Sequence, residues 1–205
     1  MADPVLTLAQ MFSPGFPVGA FAYSHGLETA IADGRVRDAA ALKAWLTDFL
    51  AYGAGASDAQ LMRAANLDDA QPFALAVCSS RERVMETMQQ GSALAHTAAA
   101  LWDTPDAQAP YPIAAARIAR ELGLPEDQTV RVYLQAFLAN LVSAAVRAVP
   151  LGQTEGQQVL AALTPLIEEV ADTATGALDD ISSTCFAGDI AAMRHETLEP
   201  RIFRT

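Results

Sequence analysis

The fold is decided by the stretch EDQTVRVYLQAFLANLVSAAVRAV, residues 126–149. It is the longest and most apolar part of the chain in which apolar residues recur at helical spacing. It also carries more polar side chains than a membrane span tolerates. Those polar residues are Arg131, Gln135, Asn140, Ser143 and Arg147. We therefore predict a central apolar helix around 126–149 in an all-α, single-domain helical bundle.

Three of these polar residues form a stripe along the predicted helix. At 100° per residue, Asn140, Ser143 and Arg147 project within about 60° of one another, and Arg131 and Gln135 project from the opposite side. Such a stripe is either a satisfied internal network, which is the commoner case, or the lining of a polar cavity or interface. Both interpretations remain open at this point.

Outside the central helix, the same spacing predicts helices over 38–52, about 71–102, 113–122, from the turn after Pro150 to about 175, and from Asp189 onwards. Asp38 is suited to cap the first of these, and Gly53 to end it. The small residues after Gln90 predict a close helix crossing. Three prolines predict a loop between Trp102 and Pro112.

The composition narrows the classes of partner. The 205 residues, of which 52% are apolar, suit one domain spanning residues 1–205. A net charge of -11 without a basic block disfavours nucleic acid and anionic membranes, because both require a concentrated positive surface. No basic residue precedes Arg35, so the basic start of a signal peptide is absent and a cytoplasmic protein is expected.

The residues that usually carry enzyme chemistry are scattered. Lys43 is the only lysine and follows no glycine-rich loop, and no common catalytic motif is present. The three histidines are isolated from one another, and the two cysteines form no CxxC pair. We therefore predict no catalytic residue, no metal site and no stably bound cofactor, with structural or surface histidines and ordinary buried or half-buried thiols.

The two ends of the chain are the most distinctive segments. Residues 12–23 contain four of the fourteen aromatic residues, between prolines and glycines that break a helix. Such rings are either core plugs or rigid anchors for a partner. Residues 193–205 contain three arginines and Phe203 in an otherwise acidic chain. This tail is either frayed or a segment that orders on a partner.

Four sequence elements carry a resemblance. Residues 13–28 read SPGFPVGAFAYSHGLE, residues 79–82 read SSRE ahead of Gly91, residues 150–153 read PLGQ, and residues 193–203 read MRHETLEPRIF. In this order they resemble the urease accessory protein F family of nickel-insertion factors, whose signatures are SPxxPxGxFxxSxGLE, PLGQ and MRHExLYSRLF. The chain departs from the last signature at Glu199, Pro200 and Ile202.

The resemblance implies a function. Members of that family are all-helical, often dimeric and not enzymes, and they act with a second accessory scaffold, a nickel-dependent GTPase and apo-urease. The chain is thereby implied to be an adaptor or chaperone in urease maturation and nickel insertion, with nickel bound and handled by the complex. The N-terminal segment, about 1–28, and the tail, about 194–205, are implied to dock partners.

The resemblance also implies roles for individual residues. The implied partner-binding residues are Phe16, Phe21, Tyr23, Ser24, Glu28, Arg194, His195, Glu196, Arg201, Phe203 and Arg204. The implied residues of the structural motif are Ser13, Pro14, Pro17, Gly19, Gly26, Leu27, Pro150, Gly152 and Gln153. The first set is expected to order together against the second scaffold.

Three alternatives compete with the adaptor. The chain could activate GTP hydrolysis by inserting Arg204 or Arg201 into the partner GTPase. It could carry or conduct nickel, with a passage lined by the polar stripe and ligands gathered by the fold. Those ligands would be His25, His96, His195, Cys78 and Cys185. Finally, it could be a helical module that binds a small molecule, which an apolar pocket would favour.

Overall fold

The computed structural model describes residues 3–205, so the part of the predicted N-terminal segment formed by Met1 and Ala2 lies outside the described residues. The described residues form ten α-helices: α1 Pro4–Met11, α2 Leu27–Ala32, α3 Ala39–Tyr52, α4 Ala54–Arg63, α5 Ala70–Ala76, α6 Arg81–Trp102, α7 Tyr111–Glu121, α8 Glu126–Ala148, α9 Gln153–Thr173 and α10 Phe186–His195. Short 3-10 turns lie at Ala20–Ala22 and Leu178–Asp180. No residue from 3 to 205 lies in a strand, so the all-α prediction is confirmed.

Helix α8 is the centre of the bundle, as the opening stretch predicts. It packs against α2, α3, α4, α7 and α9. Val130, Leu134, Leu138 and Leu141 on it are fully buried. Within residues 3–205, only α8 is long and apolar enough to span a membrane, and half of its most apolar window is buried inside the fold. This burial is what a core helix requires.

The ends of α3 follow the prediction. The Asp38 side chain accepts a hydrogen bond from the Ala41 N–H at 2.9 Å, and Gly53 terminates the helix. The single helix predicted over 71–102 is wrong. Ser80 has an extended backbone, and its hydroxyl accepts a hydrogen bond from the Arg83 N–H at 3.1 Å. This N-cap begins a new helix and separates α5 from α6.

The small residues of α6 allow a close approach, as predicted, but the neighbour is a loop as well as a helix. A Cβ atom on Gly91 would lie 1.9 Å from the carbonyl oxygen of Ala109, in the loop that leads into α7. Two predicted boundaries also shift. Helix α7 spans 111–121 rather than 113–122, and α10 begins at Phe186, three residues before the predicted Asp189.

Candidate functional site

The two ends of the chain lie against each other. Residues 13–28 of the N-terminal segment contact residues 194–205, which we call the tail. The Arg204 N–H donates to the Ala22 carbonyl at 2.7 Å. The Ser24 N–H donates to the Thr205 carbonyl at 2.8 Å, and the Ser24 hydroxyl donates to the same oxygen. In this structure the two ends are ordered against each other and the tail is not frayed, while ordering against the second scaffold stays a prediction.

Glu28 holds the tail from the side of α2. One carboxylate oxygen accepts the Ile202 N–H at 2.6 Å, and the other accepts the Phe203 N–H and His195 Nε2, both at 3.0 Å. Burial by itself raises the pKa of Glu28, but the hydrogen bonds from His195, Phe203 and Ile202 outweigh it, so the pKa lies below its usual value. Glu28 is therefore an ionised, buried anchor for the tail backbone.

His195, the last residue of α10, lies between two carboxylates. Its Nε2 contacts Glu28 at 3.0 Å, and its Nδ1 contacts Glu82 Oε2 at 2.7 Å. The second oxygen of Glu82 pairs with the Arg201 guanidinium at 2.6 Å. The His195 side chain is 0% exposed. His195 and its two carboxylates thus connect α10 to α2, to α6 and to the tail.

Glu86 holds the end of the tail from the side of α6. It contacts His25 Nε2 at 2.7 Å and Arg83 Nη1 at 3.3 Å, and it accepts the Thr205 hydroxyl at 3.1 Å and Gln90 Nε2 at 3.1 Å. Burial raises the pKa of Glu86, but the charges of His25 and Arg83 outweigh it and lower the pKa. The tail thereby reaches a buried charge network in the core.

Arg83 extends that network into α4 and α8. Its guanidinium lies 2.9 Å from Asp58, and the same carboxylate accepts the Tyr133 hydroxyl at 2.6 Å. Burial and the nearby Asp58 charge raise the pKa of Tyr133. All these polar atoms are paired, which is the condition for placing charges in an apolar core.

Most of the aromatic rings at the two ends are core plugs. Phe16 is buried and stacks on Trp102 with ring centroids 5.8 Å apart. Tyr23 is buried and donates its hydroxyl to Gln89 at 2.8 Å. Phe203 is buried beneath the Arg147 guanidinium, which lies 4.8 Å from the ring centre. Phe21 is the exception, because it is 67% exposed.

The implied partner-binding residues therefore divide into two groups. The buried group makes its contacts within this chain and comprises Phe16, Tyr23, Ser24, Glu28, His195 and Phe203. The exposed group comprises Phe21, Arg194, Glu196, Arg201 and Arg204. Arg194 pairs with Asp33 through both guanidinium nitrogens, at 2.5 and 3.1 Å. Partner binding remains a prediction for both groups. The buried residues would influence it indirectly, by fixing the conformation of the tail.

The implied motif residues shape the turns around the site. Gly19 and Gly26 have positive φ angles of 73° and 75°. A Cβ atom on Gly26 would lie 2.5 Å from the backbone nitrogen of Ala192, so α10 rests directly on this glycine. Leu27 is fully buried, and the Ser13 hydroxyl accepts the Gly15 N–H at 3.2 Å in the turn that contains Pro14 and precedes Pro17.

The PLGQ element forms the entry to α9. After Pro150, the Gly152 N–H donates to the Glu155 side chain at 2.9 Å, and Gln153 is the first helical residue. The Glu155 side chain thus satisfies a backbone donor at the start of the helix. This element lies in the turn between α8 and α9 and positions those helices relative to each other.

The polar stripe of α8 holds the N-terminal segment. Asn140 Nδ2 donates to the Ala20 carbonyl at 2.6 Å, and Arg147 donates to the carbonyls of Ser143 and Phe21 at 3.1 and 3.0 Å. Asn140 and Arg147 thus bond to the N-terminal segment as a network would, but Ser143 and Arg147 are exposed, so the stripe is not an internal network alone. The stripe also borders a cavity of about 430 Å³ between the segment and α8. Its lining includes Phe12, Phe21, Val132, Ala136, Asn140 and Ser143.

Helix α10 presents an apolar face that the sequence analysis missed. Phe186, Ile190 and Met193 are 68%, 52% and 52% exposed, and we call these three residues the α10 face. Their i, i+4, i+7 spacing places them on one side of the helix. The opposite side is built from the small buried residues Gly188, Ala191 and Ala192. The i, i+4, i+7 spacing is present in the sequence, but the predicted helix began at Asp189 and therefore left out Phe186.

The scattered metal-ligand candidates stay apart. Among residues 3–205, no group of three or more histidine, cysteine, aspartate or glutamate side chains is placed to hold a metal ion. His96 is exposed and contacts Asp106 at 3.1 Å. Cys78 is half-buried and Cys185 is buried, and both are free thiols whose pKa is raised by burial.

Comparison with known proteins identifies the family. The UreF family model matches residues 36–164. Urease accessory protein UreF from Roseobacter denitrificans is 52% identical over 99% of this chain and 95% of its own length. The proteins of the same description from Cereibacter sphaeroides strain KD131 and Ruegeria pomeroyi are 52% and 51% identical over the whole of both chains. The chain therefore belongs to the UreF family of urease accessory proteins, which are not enzymes.

Proposed function

We propose that this protein is an adaptor in the insertion of nickel into apo-urease. It binds a second accessory scaffold and, together with it, recruits a nickel-dependent GTPase in the cytoplasm. No step of this role requires a catalytic residue, and nickel is handled by the complex rather than bound stably by this chain. The observation that carries the proposal is the α10 face, which lies on the outer side of a helix packed against Gly26 and leaves three large apolar side chains in water.

The α10 face suits a groove on a partner protein. Apolar side chains at i, i+4 and i+7 are the anchors by which an amphipathic helix enters a hydrophobic groove. The small residues on the inner side of α10 bring its backbone close to Gly26 and thereby fix the orientation of the outer side. A surface already ordered before binding loses less entropy on association. We assign this groove to the second accessory scaffold.

Introducing a charge into the α10 face tests the assignment. Co-expression of Ile190→Asp with the urease components should leave the fold intact but abolish co-purification of the scaffold and the GTPase, and with it urease activation. Leu101→Asp is the matched control, because Leu101 is also helical and 51% exposed. Retention of the scaffold by Ile190→Asp would overturn the assignment. Deleting residues 194–205 is a poorer test, because it also removes the hydrogen-bond donors that the tail provides to the buried carboxylates of Glu28 and Glu86.

We also propose that the protein acts as a homodimer. Val132, Ala136 and Ala139 lie half-exposed at i, i+4 and i+7 along α8, where they line one side of the open 430 Å³ cavity. An apolar stripe of this kind on a central helix suits a self-complementary contact about a two-fold axis. The mass in solution, measured by light scattering for the wild type and Ala136→Arg, tests this. A wild-type monomer at micromolar concentration would contradict it.

Activation of the GTPase is a second candidate function. Both tail arginines are exposed, but Arg201 is paired with Glu82, so Arg204 is the better candidate for an inserted arginine. GTP turnover by the partner should fall with Arg204→Ala if this role holds. Equal turnover with wild type and variant would leave only scaffolding.

Transport of nickel is less well supported. The 430 Å³ cavity and a smaller one of about 50 Å³ share His25, Arg83 and Glu86 in their linings, which favours a passage. The positive charge of Arg83 at that junction opposes entry of a cation. Calorimetric titration of the isolated protein with nickel tests the carrier version, for which saturable binding is required.

A further inference from the structure

We propose that the groove between the end of α3 and the start of α10 binds an arginine side chain of a partner protein. The groove has a volume of about 330 Å³. It is lined by Asp48, Tyr52, Thr184, Cys185, Phe186 and Ala187. Because Phe186 also belongs to the α10 face, the groove continues that surface. We therefore assign the arginine to the second accessory scaffold, and this assignment rests on the proposed function.

Two exposed aromatic rings border the groove. Tyr52, the last residue of α3, is 55% exposed, and Phe186, the first residue of α10, is 68% exposed. The Tyr52 carbonyl accepts the N–H groups of Thr184 and Cys185 at 2.9 and 3.1 Å, which fixes the start of α10 beside the end of α3. The faces of aromatic rings attract cations. The groove is thus formed before binding and suits a cationic side chain.

A free carboxylate lies beside these rings. Asp48 precedes Tyr52 by one helical turn, so both project from the same side of α3. Asp48 is exposed, and no arginine, lysine or histidine among residues 3–205 pairs with it. An arginine guanidinium can stack on an aromatic ring and donate two parallel hydrogen bonds to a carboxylate. Asp48 and Tyr52 offer both kinds of contact at one place.

The electrostatics of the groove favour a cation. The C-terminal end of α3 carries a negative partial charge, and the positive partial charge at the start of α10 is compensated by Asp189 in its first turn. Burial raises the pKa of the Cys185 thiol, the Gly188 N–H lowers it, and the charges of Asp189 and Asp48 raise it again. The charges of both carboxylates therefore reach the thiol that lines the groove.

Other occupants match these groups less well. An acidic side chain would be repelled by Asp48. An apolar side chain would remove water from Asp48 without replacing its hydrogen bonds, which is costly for a carboxylate. A lysine ammonium supplies the charge, but it has no planar fork to stack on a ring and bind a carboxylate through two parallel bonds. Arginine alone satisfies the ring and the carboxylate together.

The dissociation constant for the purified scaffold, measured by biolayer interferometry, tests the proposal. Asp48→Asn should weaken binding about tenfold, because arginine contacts are frequent hot spots of interfaces. Tyr52→Ala should weaken it about fivefold through loss of the cation–π contact. Both side chains are exposed, so the variants should fold, which circular dichroism checks. Glu169→Gln, at an exposed acidic position of α9, is the matched control and should stay within about twofold of the wild type.

Two results of this measurement would overturn the proposal. The first is wild-type affinity in both Asp48→Asn and Tyr52→Ala. The second is tighter binding by Asp48→Asn, which would mean that an apolar or acidic side chain enters the groove.

A charge-swap experiment identifies the occupant. Asp48→Arg should abolish co-purification of the scaffold by placing two positive charges against each other. Scaffold variants in which each arginine or lysine is replaced in turn by glutamate are then co-expressed with Asp48→Arg. One arginine variant should restore co-purification. Rescue only by a lysine variant, or by none, would overturn the assignment to arginine.

The result for the groove is separable from the result for the proposed function. Loss of the scaffold in Ile190→Asp together with wild-type affinity in Asp48→Asn and Tyr52→Ala would refute the groove and leave the α10 face as the docking surface. Weakened binding in the two groove variants together with full retention in Ile190→Asp would support the groove and refute the assignment of the α10 face.

Discussion

The N-terminal segment and the tail lie against each other but are fixed by different forces. In the segment, the rings of Phe16 and Tyr23 are buried, and Phe16 stacks on Trp102. The tail buries one large ring, Phe203, and is otherwise held by the buried carboxylates that accept its N–H and hydroxyl groups. The segment depends mainly on apolar burial and the tail mainly on charge.

This difference determines how each end can respond. Apolar burial scales with the area removed from water and depends little on pH or moderate salt. Hydrogen bonds to ionised carboxylates are strong, but they disappear when the carboxylate or its cationic partner changes its charge. The charged attachment belongs to the end that carries the α10 face. We infer that the segment acts as a permanent platform and the tail as its adjustable part.

The largest effect is expected from Glu86→Gln, which removes the charge that joins the tail to the core. It leaves His25 and Arg83 with less compensation in a buried site, and a change of this kind costs about 3 kcal/mol or more of unfolding free energy. Urea unfolding measures the loss. Glu121→Gln, at an exposed position, should change stability by less than about 0.5 kcal/mol. A similar small change in Glu86→Gln would refute the importance of the charge.

A smaller effect is expected where the two ends touch through backbone. Gly26→Ala introduces a Cβ atom 2.5 Å from the Ala192 nitrogen at a φ of +75°. Gly19→Ala has nearly the same φ, +73°, with nothing within 4 Å. Both should lose about 1 kcal/mol to backbone strain. Gly26→Ala should lose a further ~1–2 kcal/mol as α10 is displaced. Equal losses in urea unfolding would mean that α10 adapts freely.

The sequence was sufficient for the elements whose signals are local. The spacing of Val130, Leu134, Leu138 and Leu141 placed the central helix, and Asp38 placed the start of α3. The Ser80 cap was missed because the apolar pattern continues across it, although a serine before a charged helical turn is a recognisable start signal. Local signals thus predicted the bundle in outline, but the prediction missed the break at Ser80, displaced the bounds of α7 and α10, and did not include α1, α2 and α4.

The candidate site was predictable only as a set of residues. The resemblance named both Glu28 and His195, but they are 167 positions apart in the chain. No local pattern indicates that the Glu28 carboxylate binds both the His195 ring and the tail backbone. That contact depends on Gly26 admitting α10, which is a tertiary packing requirement. Burial of most rings and exposure of Phe21 likewise result from packing rather than composition.

Acid should weaken the tail more than the segment. Glu28 and Glu86 have pKa values below their usual range in the folded chain, so their stabilisation is complete above about pH 4.3 and is lost as the pH falls through the folded values. Each tenfold difference in proton affinity corresponds to about 1.4 kcal/mol. Urea unfolding between about pH 3 and about pH 6 measures it. The loss caused by Phe16→Ala should vary little over this range, and a parallel decline would contradict the comparison.

The smallest effect is expected at Arg194, whose pair with Asp33 lies on the surface of the tail. Two guanidinium contacts favour a defined geometry, but the Arg194 side chain is 55% exposed, and exposed pairs contribute at most about 1 kcal/mol. A double-mutant cycle of Arg194→Ala and Asp33→Ala should therefore give a coupling below about 1 kcal/mol, reduced further in 1 M salt. A coupling energy above about 2 kcal/mol would mean that this surface pair, rather than the buried carboxylates, is the main attachment of the tail. A small coupling leaves Arg194 energetically available to a partner, which is what an adjustable docking segment requires.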